Sequence, residues 1–192
     1  MSITSTSCRE SQRVYELNAA YIQLIQHLQW NKQVDELAET LHMDADLLAG
    51  LAQADEPGIQ DLLNGRTTTL FSLEVSATEL TDLLAEQAER KVSVLGSLFT
   101  ANSLMLEVAA TPSRAFIKWV LQEIQSWSTF STTTNYRFNC SQSVVEQIAR
   151  LDAASVLKLA KSAATCTKPR FTAAHLQVLG KTGLVPVGLL FD

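Results

Sequence analysis

One apolar pattern is written twice in this chain, and that constrains its fold more than any other feature, because each copy must bury the same face. Leu41-His-Met-Asp-Ala-Asp-Leu-Leu-Ala-Gly-Leu-Ala runs on to Asp55 and then to Ile59-Gln-Asp-Leu-Leu63. Ninety-seven positions later, Phe138-Asn-Cys-Ser-Gln-Ser-Val-Val-Glu-Gln-Ile-Ala149 runs on to Asp152 and Val156-Leu-Lys-Leu-Ala160. Ala52, Asp55 and Leu62 meet identical residues, Ala149, Asp152 and Leu159. Leu41, Met43, Leu47, Leu48, Leu51, Ala54, Ile59 and Leu63 meet other apolar residues, and Trp30 and Trp127 precede the two copies at the same distance. An interval this long exceeds any solenoid unit, so the expectation is a duplicated helical module.

The periodicity supports helices in both copies. Val14, Leu17, Tyr21, Leu24, Ile25 and Leu28 follow one helical face across residues 10–30, ending near Asn31 or continuing through Val34 to Ala38. Asp44 stands at an N-cap position, where its carboxylate can accept backbone N–H groups of the next turn. Glu56-Pro57 suits the opening of a second short helix, and Asn64-Gly65 suits its end. Thr67 to Val75 is β-branched and aromatic, which predicts a short strand or extended arm. Ser76-Ala-Thr-Glu79 is a capping-box pattern, with further helix expected through Val92 to Val108.

Thr111-Pro112-Ser113 is the clearest internal boundary. Beyond it Phe116, Ile117, Val120, Leu121 and Ile124 form another helical face, and Ser128 to Asn135 is a polar connector. Ser141 takes the N-cap place of Asp44, ahead of two short helices at 142–151 and 153–163. Lys168-Pro-Arg-Phe171 occupies the place of the first copy's arm. The expected organisation is a flexible tail at 1–9, a first module at 10–110 and a second, truncated one at 111–192.

The 192 residues are 46% hydrophobic and 18% charged, too apolar for disorder. The first residues lack the apolar core of a secretory signal, and the tract from Leu184 to Phe191 is too short for the roughly 20 residues of a membrane span. Cys8, Cys140 and Cys166 are odd in number and share no CxxC spacing, which argues against a disulfide framework or structural zinc and suits a reducing cytoplasm. The net charge of −5 is split. Residues 1–113 hold six Lys/Arg against sixteen Asp/Glu, and residues 114–192 hold nine against four. That split makes the second half the better candidate for phosphate contact, and the first half the better surface for a basic partner.

Motifs for chemistry are wanting. His27, His42 and His175 show no metal-ligand spacing, and no GxSxG, HExxH or phosphate-binding loop occurs. Cys166 with His175 could form a nucleophile and base only if a fold oriented them, and a buried thiol with a surface histidine is the simpler expectation. Asp35, Glu36 and Glu39 read as a solvated helix face. No catalytic residue, metal site or cofactor is expected.

The segment Asn135-Tyr-Arg137-Phe138 through Lys158-Leu159-Ala160 to Pro169-Arg170-Phe171 resembles the FlhD family of bacterial flagellar transcriptional activators. Its pattern is a basic–apolar pair, a capped helix, a tight turn, a helix ending in a Lys-Leu-Ala step, and an arm closing on Arg-Phe. Leu17-Asn18-Ala-Ala-Tyr21 is similar to the family's opening helix, and Leu41 to Leu73 follows the same plan with about one deletion. The resemblance implies an all-α regulator, here two FlhD-like helical modules in tandem (a pseudo-dimer) with short extended arms. It implies a cytoplasmic subunit of a DNA-binding activator complex, acting with an FlhC-like partner that carries the zinc-bound, DNA-reading part. Homo-oligomerisation is a further expectation, and membrane association is not expected. The family's arm cysteine, which can link two protomers, has Cys166 near its place in the second copy and only threonines in the first.

Candidate site residues follow. Arg137, Arg150, Lys158, Lys161, Lys168 and Arg170 are the cations placed to meet phosphates, with the two short helices joined at Leu151-Asp152 resembling a helix-turn-helix in outline. Trp30 and Trp127 end their helices, so core packing is the leading expectation for both, and as candidate partner-binding residues they would be exposed anchors for a partner subunit. The competing function is an adaptor or anti-activator that binds protein and never DNA.

Overall fold

The computed structural model describes residues 3–54, 56–90, 105–106, 108–129 and 131–176. They are mostly helical, with one two-stranded sheet, and no helix among them is long and apolar enough to cross a membrane. The chain forms two compact units. The first comprises Met1–Ser72 with Lys168–Asp192, and the second Leu73–Thr167. These boundaries differ from 10–110 and 111–192: residues 73–90 join the second unit and the segment from Lys168 joins the first.

In the first unit, α1 (Ile3–Trp30) buries Val14, Leu17, Tyr21, Ile22, Ile25 and Leu28 along one stripe. The helix opens at Ile3, inside the segment expected as a tail. Propagating a helix already nucleated by packing costs little per residue, which offsets the weak helix propensity of the Ser/Thr-rich start. Asn18 is fully buried on the same stripe, where its Nδ2 donates to the Thr68 carbonyl (3.2 Å) and its Oδ1 accepts from the Leu70 N–H (2.7 Å). Those two bonds satisfy backbone groups that would otherwise be stranded in the core, and they seat Phe71 against Tyr21, ring centroids 4.8 Å apart.

After α1 the chain turns at Lys32 (φ 57°), winds one π turn at Glu36–Thr40, and passes a second left-handed residue at His42 (φ 50°). α2 (Ala45–Gln53) starts as expected, with the Leu47 N–H donating to Asp44 Oδ1 at 2.8 Å. α3 (Glu56–Leu63) follows and is closed by Gly65, whose φ of 71° a side chain would strain. Gly50 is needed for closeness instead: a Cβ there would lie 2.9 Å from Leu176 Cδ1.

Strands β1 (Phe71–Glu74) and β2 (Cys166–Pro169) form the sheet; β1 covers the middle of the arm expected at 67–75, and β2 begins two residues before the one expected at 168–171 and takes in its first two residues. In the second unit, α4 (Ala77–Arg90) starts at the Ser76 cap, whose Oγ accepts from the Glu79 N–H. α5 (Pro112–Ser128) has its proline at the helix start and buries Phe116, Ile117, Val120, Leu121, Ile124 and Trp127. The connector expected from Ser128 to Asn135 is shorter, because its first residue ends α5 and its last two, Thr134 and Asn135, open α6 (Thr134–Phe138). α7 (Gln142–Arg150) is capped by Ser141 and α8 (Ala153–Lys161) by Asp152. Both pack on α5 and on α4. Side chains then tie off the helix ends: Gln125 Nε2 donates to the carbonyls of Ile148 (3.0 Å) and Leu151 (2.8 Å), and Arg114 Nη1 to those of Ser162 (2.6 Å) and Thr165 (2.9 Å). The helix expected through Val92 to Val108 lies largely outside the described residues.

Local geometry recurs at ninety-seven positions. Leu41 and Phe138 are fully buried, His42 and Asn139 (φ 46°) are left-handed, and Asp44 and Ser141 are the caps. Leu51 and Ile148, then Leu62 and Leu159, are the buried anchors of the helix pairs, with Ala54 and Leu151 extended between them. The preceding long helices match at ninety-nine positions instead: Leu17, Tyr21, Ile22, Ile25 and Leu28 correspond in burial to Phe116, Val120, Leu121, Ile124 and Trp127.

Candidate functional site

The two tryptophans expected as equivalents are opposites. Trp127 is fully buried, edge-on to Phe138 at 5.5 Å, and its Nε1 donates to Glu123 Oε2 at 3.0 Å. It belongs to the core of the second unit, the packing role expected first of it, and does not present an exposed anchor. The physical reason is rotational. A two-residue register difference turns a side chain by about 200° on an α-helix, from the core face to the opposite one. Trp30 lies on that opposite face and is 87% exposed. Val34, 64% exposed, stands just beyond the Asn31-Lys32 turn.

The six basic candidates are divided between the two units, Lys168 and Arg170 in the first and the other four in the second. Arg137 lies over the Trp127 ring, 5.4 Å from its centroid, and its Nε donates to Thr133 Oγ1. Lys158 is ion-paired with Glu86 of α4. Arg170 donates through Nη1 to the Thr69 carbonyl (3.3 Å) and through its backbone N–H to that of Leu70 (2.8 Å), fastening the arm. Arg150 is exposed and lines an open groove of about 220 Å³ with Glu146, Gln142, Ser128 and Ser131, an anion sharing its surface. Lys161 and Lys168 are exposed.

Charge is also redistributed. The sequence halves are strongly acidic and basic, but the second unit holds eight Lys/Arg against nine Asp/Glu, because α4 brings Glu79, Asp82, Glu86 and Glu89 into it. The first unit, with seven against eleven, keeps most of the negative balance.

Cys166 is buried, its Sγ 3.9 Å from Glu74 Oε2, and His175 Nδ1 accepts from the Thr172 N–H at 3.0 Å. Burial pushes the Cys140 thiol up to about 11, so it is protonated at neutral pH. His27 pairs with Asn31 one turn on, and His42 is exposed.

Sequence reasoning missed Gln87, which bridges the turn between α7 and α8. Its Nε2 donates to the Arg150 carbonyl (3.0 Å) and its Oε1 accepts from the Asp152 N–H (2.7 Å). It missed Arg66 as well, which donates to the Leu62 carbonyl and whose pKa is lowered by burial and by Arg170. Gln87 has no local signal, since it joins segments more than sixty residues apart, whereas Arg66 just past a helix end was readable as a cation that can bond the last carbonyls. Comparison with protein families, curated proteins and solved structures finds no match to this chain.

Proposed function

We propose that this chain is a recognition subunit: two FlhD-like helical modules joined in tandem, working in a DNA-binding activator complex with an FlhC-like partner. The observation that carries the duplication is the recurrence at ninety-seven positions of a buried anchor, a left-handed residue and a side-chain cap, at Leu41-His42-Asp44 and at Phe138-Asn139-Ser141. Three local features repeating in one order and spacing are hard to obtain by chance from helix propensity alone. A module built from such caps and apolar stripes offers surfaces rather than reactive groups.

The adaptor reading is favoured by a separate observation. Arg137, Lys158 and Arg170 are engaged by Trp127, Glu86 and the Thr69 carbonyl, so the charges expected to meet phosphates are in part committed within the chain. In the complex, DNA contact then rests on the partner, and this chain shapes the assembly. Co-expression with an FlhC-like protein encoded beside this chain, followed by mass measurement of the purified species, tests the reading. A stoichiometric complex is expected. Two species that elute and weigh separately at every concentration tried would refute it.

A further inference from the structure

The surface from Trp30 to Glu39 joins two features that are costly to leave facing water. Trp30 and Val34, four residues apart in sequence and separated by a turn, are 87% and 64% exposed. Asp35 and Glu39, both exposed, follow them, with Glu36 half-buried between and held by Gln33 Nε2 at 2.7 Å. Lys32 is the one cation of the segment. The backbone there is irregular: left-handed Lys32 and His42 bracket a π turn at Glu36–Thr40. π turns and left-handed residues other than glycine recur at functional sites because they re-aim side chains at a cost in local stability.

We propose that this face docks a basic amphipathic segment of a partner protein, its apolar side covering Trp30 and Val34 and its Lys/Arg side meeting Asp35 and Glu39. Charge complementarity selects the occupant. An exposed tryptophan followed within nine residues by exposed Asp35 and Glu39, in an acidic unit, disfavours acidic segments and nucleic acid and favours a cationic helix whose apolar stripe can bury the indole. The acidic balance of the whole first unit works in the same direction by steering the encounter. This rests on the recognition-subunit reading and adds to it a surface and a partner chemistry.

The test uses the full chain and three synthetic probes: a lysine/leucine amphipathic peptide, its glutamate/leucine counterpart, and a lysine-only peptide. Trp30 is exposed whereas Trp127 is buried and Trp119 half-buried, so iodide quenching and the emission maximum report mainly on Trp30. The lysine/leucine peptide should shift emission to the blue and protect it from iodide. Trp30→Ala should weaken binding, read by calorimetry, about tenfold or more, the loss expected of a hot-spot residue. The double change Asp35→Lys with Glu39→Lys should weaken the lysine/leucine peptide and admit the glutamate/leucine one, with far-UV circular dichroism unchanged. Equal binding of the lysine-only peptide, or undiminished binding to either variant, would overturn the proposal. So would protection of Trp30 that rises with protein concentration alone, since a second copy would then be the occupant. The two readings fail separately: an FlhC-like complex that forms as well with Trp30→Ala removes this surface and leaves the function standing.

Discussion

Lys158 of α8 is ion-paired with Glu86 of α4, two residues 72 positions apart in sequence and drawn from opposite sides of the chain's charge split. The pair is one point at which the acidic α4 meets a basic helix of the second half within the second unit. Its side chains are 29% and 43% exposed, so water screens it and its worth is about 0.5–1 kcal/mol. A double-mutant cycle of Lys158→Ala and Glu86→Ala, read by urea unfolding, should return a coupling of that size and one that shrinks in high salt.

The tryptophans should separate stability from recognition. Trp127→Ala removes a fully buried indole, its contact with Phe138 and the ring beneath Arg137, and should cost about 3–5 kcal/mol. Trp30→Ala removes a solvated side chain and should change stability by less than about 0.5 kcal/mol. Equilibrium denaturation of the two variants checks this. Comparable losses would mean that Trp30 is packed.

Asn18 should matter more than its polar side chain suggests. Asn18→Leu fits the apolar stripe but strands the Thr68 carbonyl and the Leu70 N–H, at about 1–3 kcal/mol for each buried group. Ninety-nine positions on stands Ile117, so the lock belongs to the first unit alone. Hydrogen exchange should show the Leu70 amide losing protection in the variant while helices of the second unit keep theirs.

Much of this was legible in the residues. Asp44 and Ser141 were readable as caps because N-cap chemistry is local: a short polar acceptor ahead of an apolar stripe. The first arm was readable from a β-branched run, the second from its place in the repeat, and Gly65 from its place after a stripe. The register of the long helices was not. The shared spacing of Trp30 and Trp127 points to ninety-seven, where Leu17, Tyr21 and Leu28 meet Arg114, Lys118 and Gln125, whereas burial matches the two helices at ninety-nine. The basic candidates misled for a different reason. Charge summed along a chain ignores which segments meet, and α4 carries acidic residues from the first half onto the helices of the second.

The thiol of Cys140 gives a pH-dependent check. Burial favours the neutral form and raises its pKa to about 11 from an ordinary 9.0, so the folded chain holds the proton more tightly than the unfolded one. The sign follows: this thiol's contribution to stability is complete below pH 9 and is lost as pH rises toward 11. Iodoacetamide labelling of Cys140 at pH 8 should be slow in the native chain and fast in urea. Equal rates would place the thiol in water.

The most direct measurement is binding of a promoter fragment across a salt series, by the chain alone and by the chain with its FlhC-like partner. Alone, the chain should bind weakly, with no preference for the promoter over unrelated DNA. With the partner, specific binding should appear and survive Lys158→Ala, because that charge is already held by Glu86. Tight, salt-steep binding by the isolated chain, abolished by losing Arg150 and Lys161, would make this protein the DNA reader and contradict a role built on protein contacts.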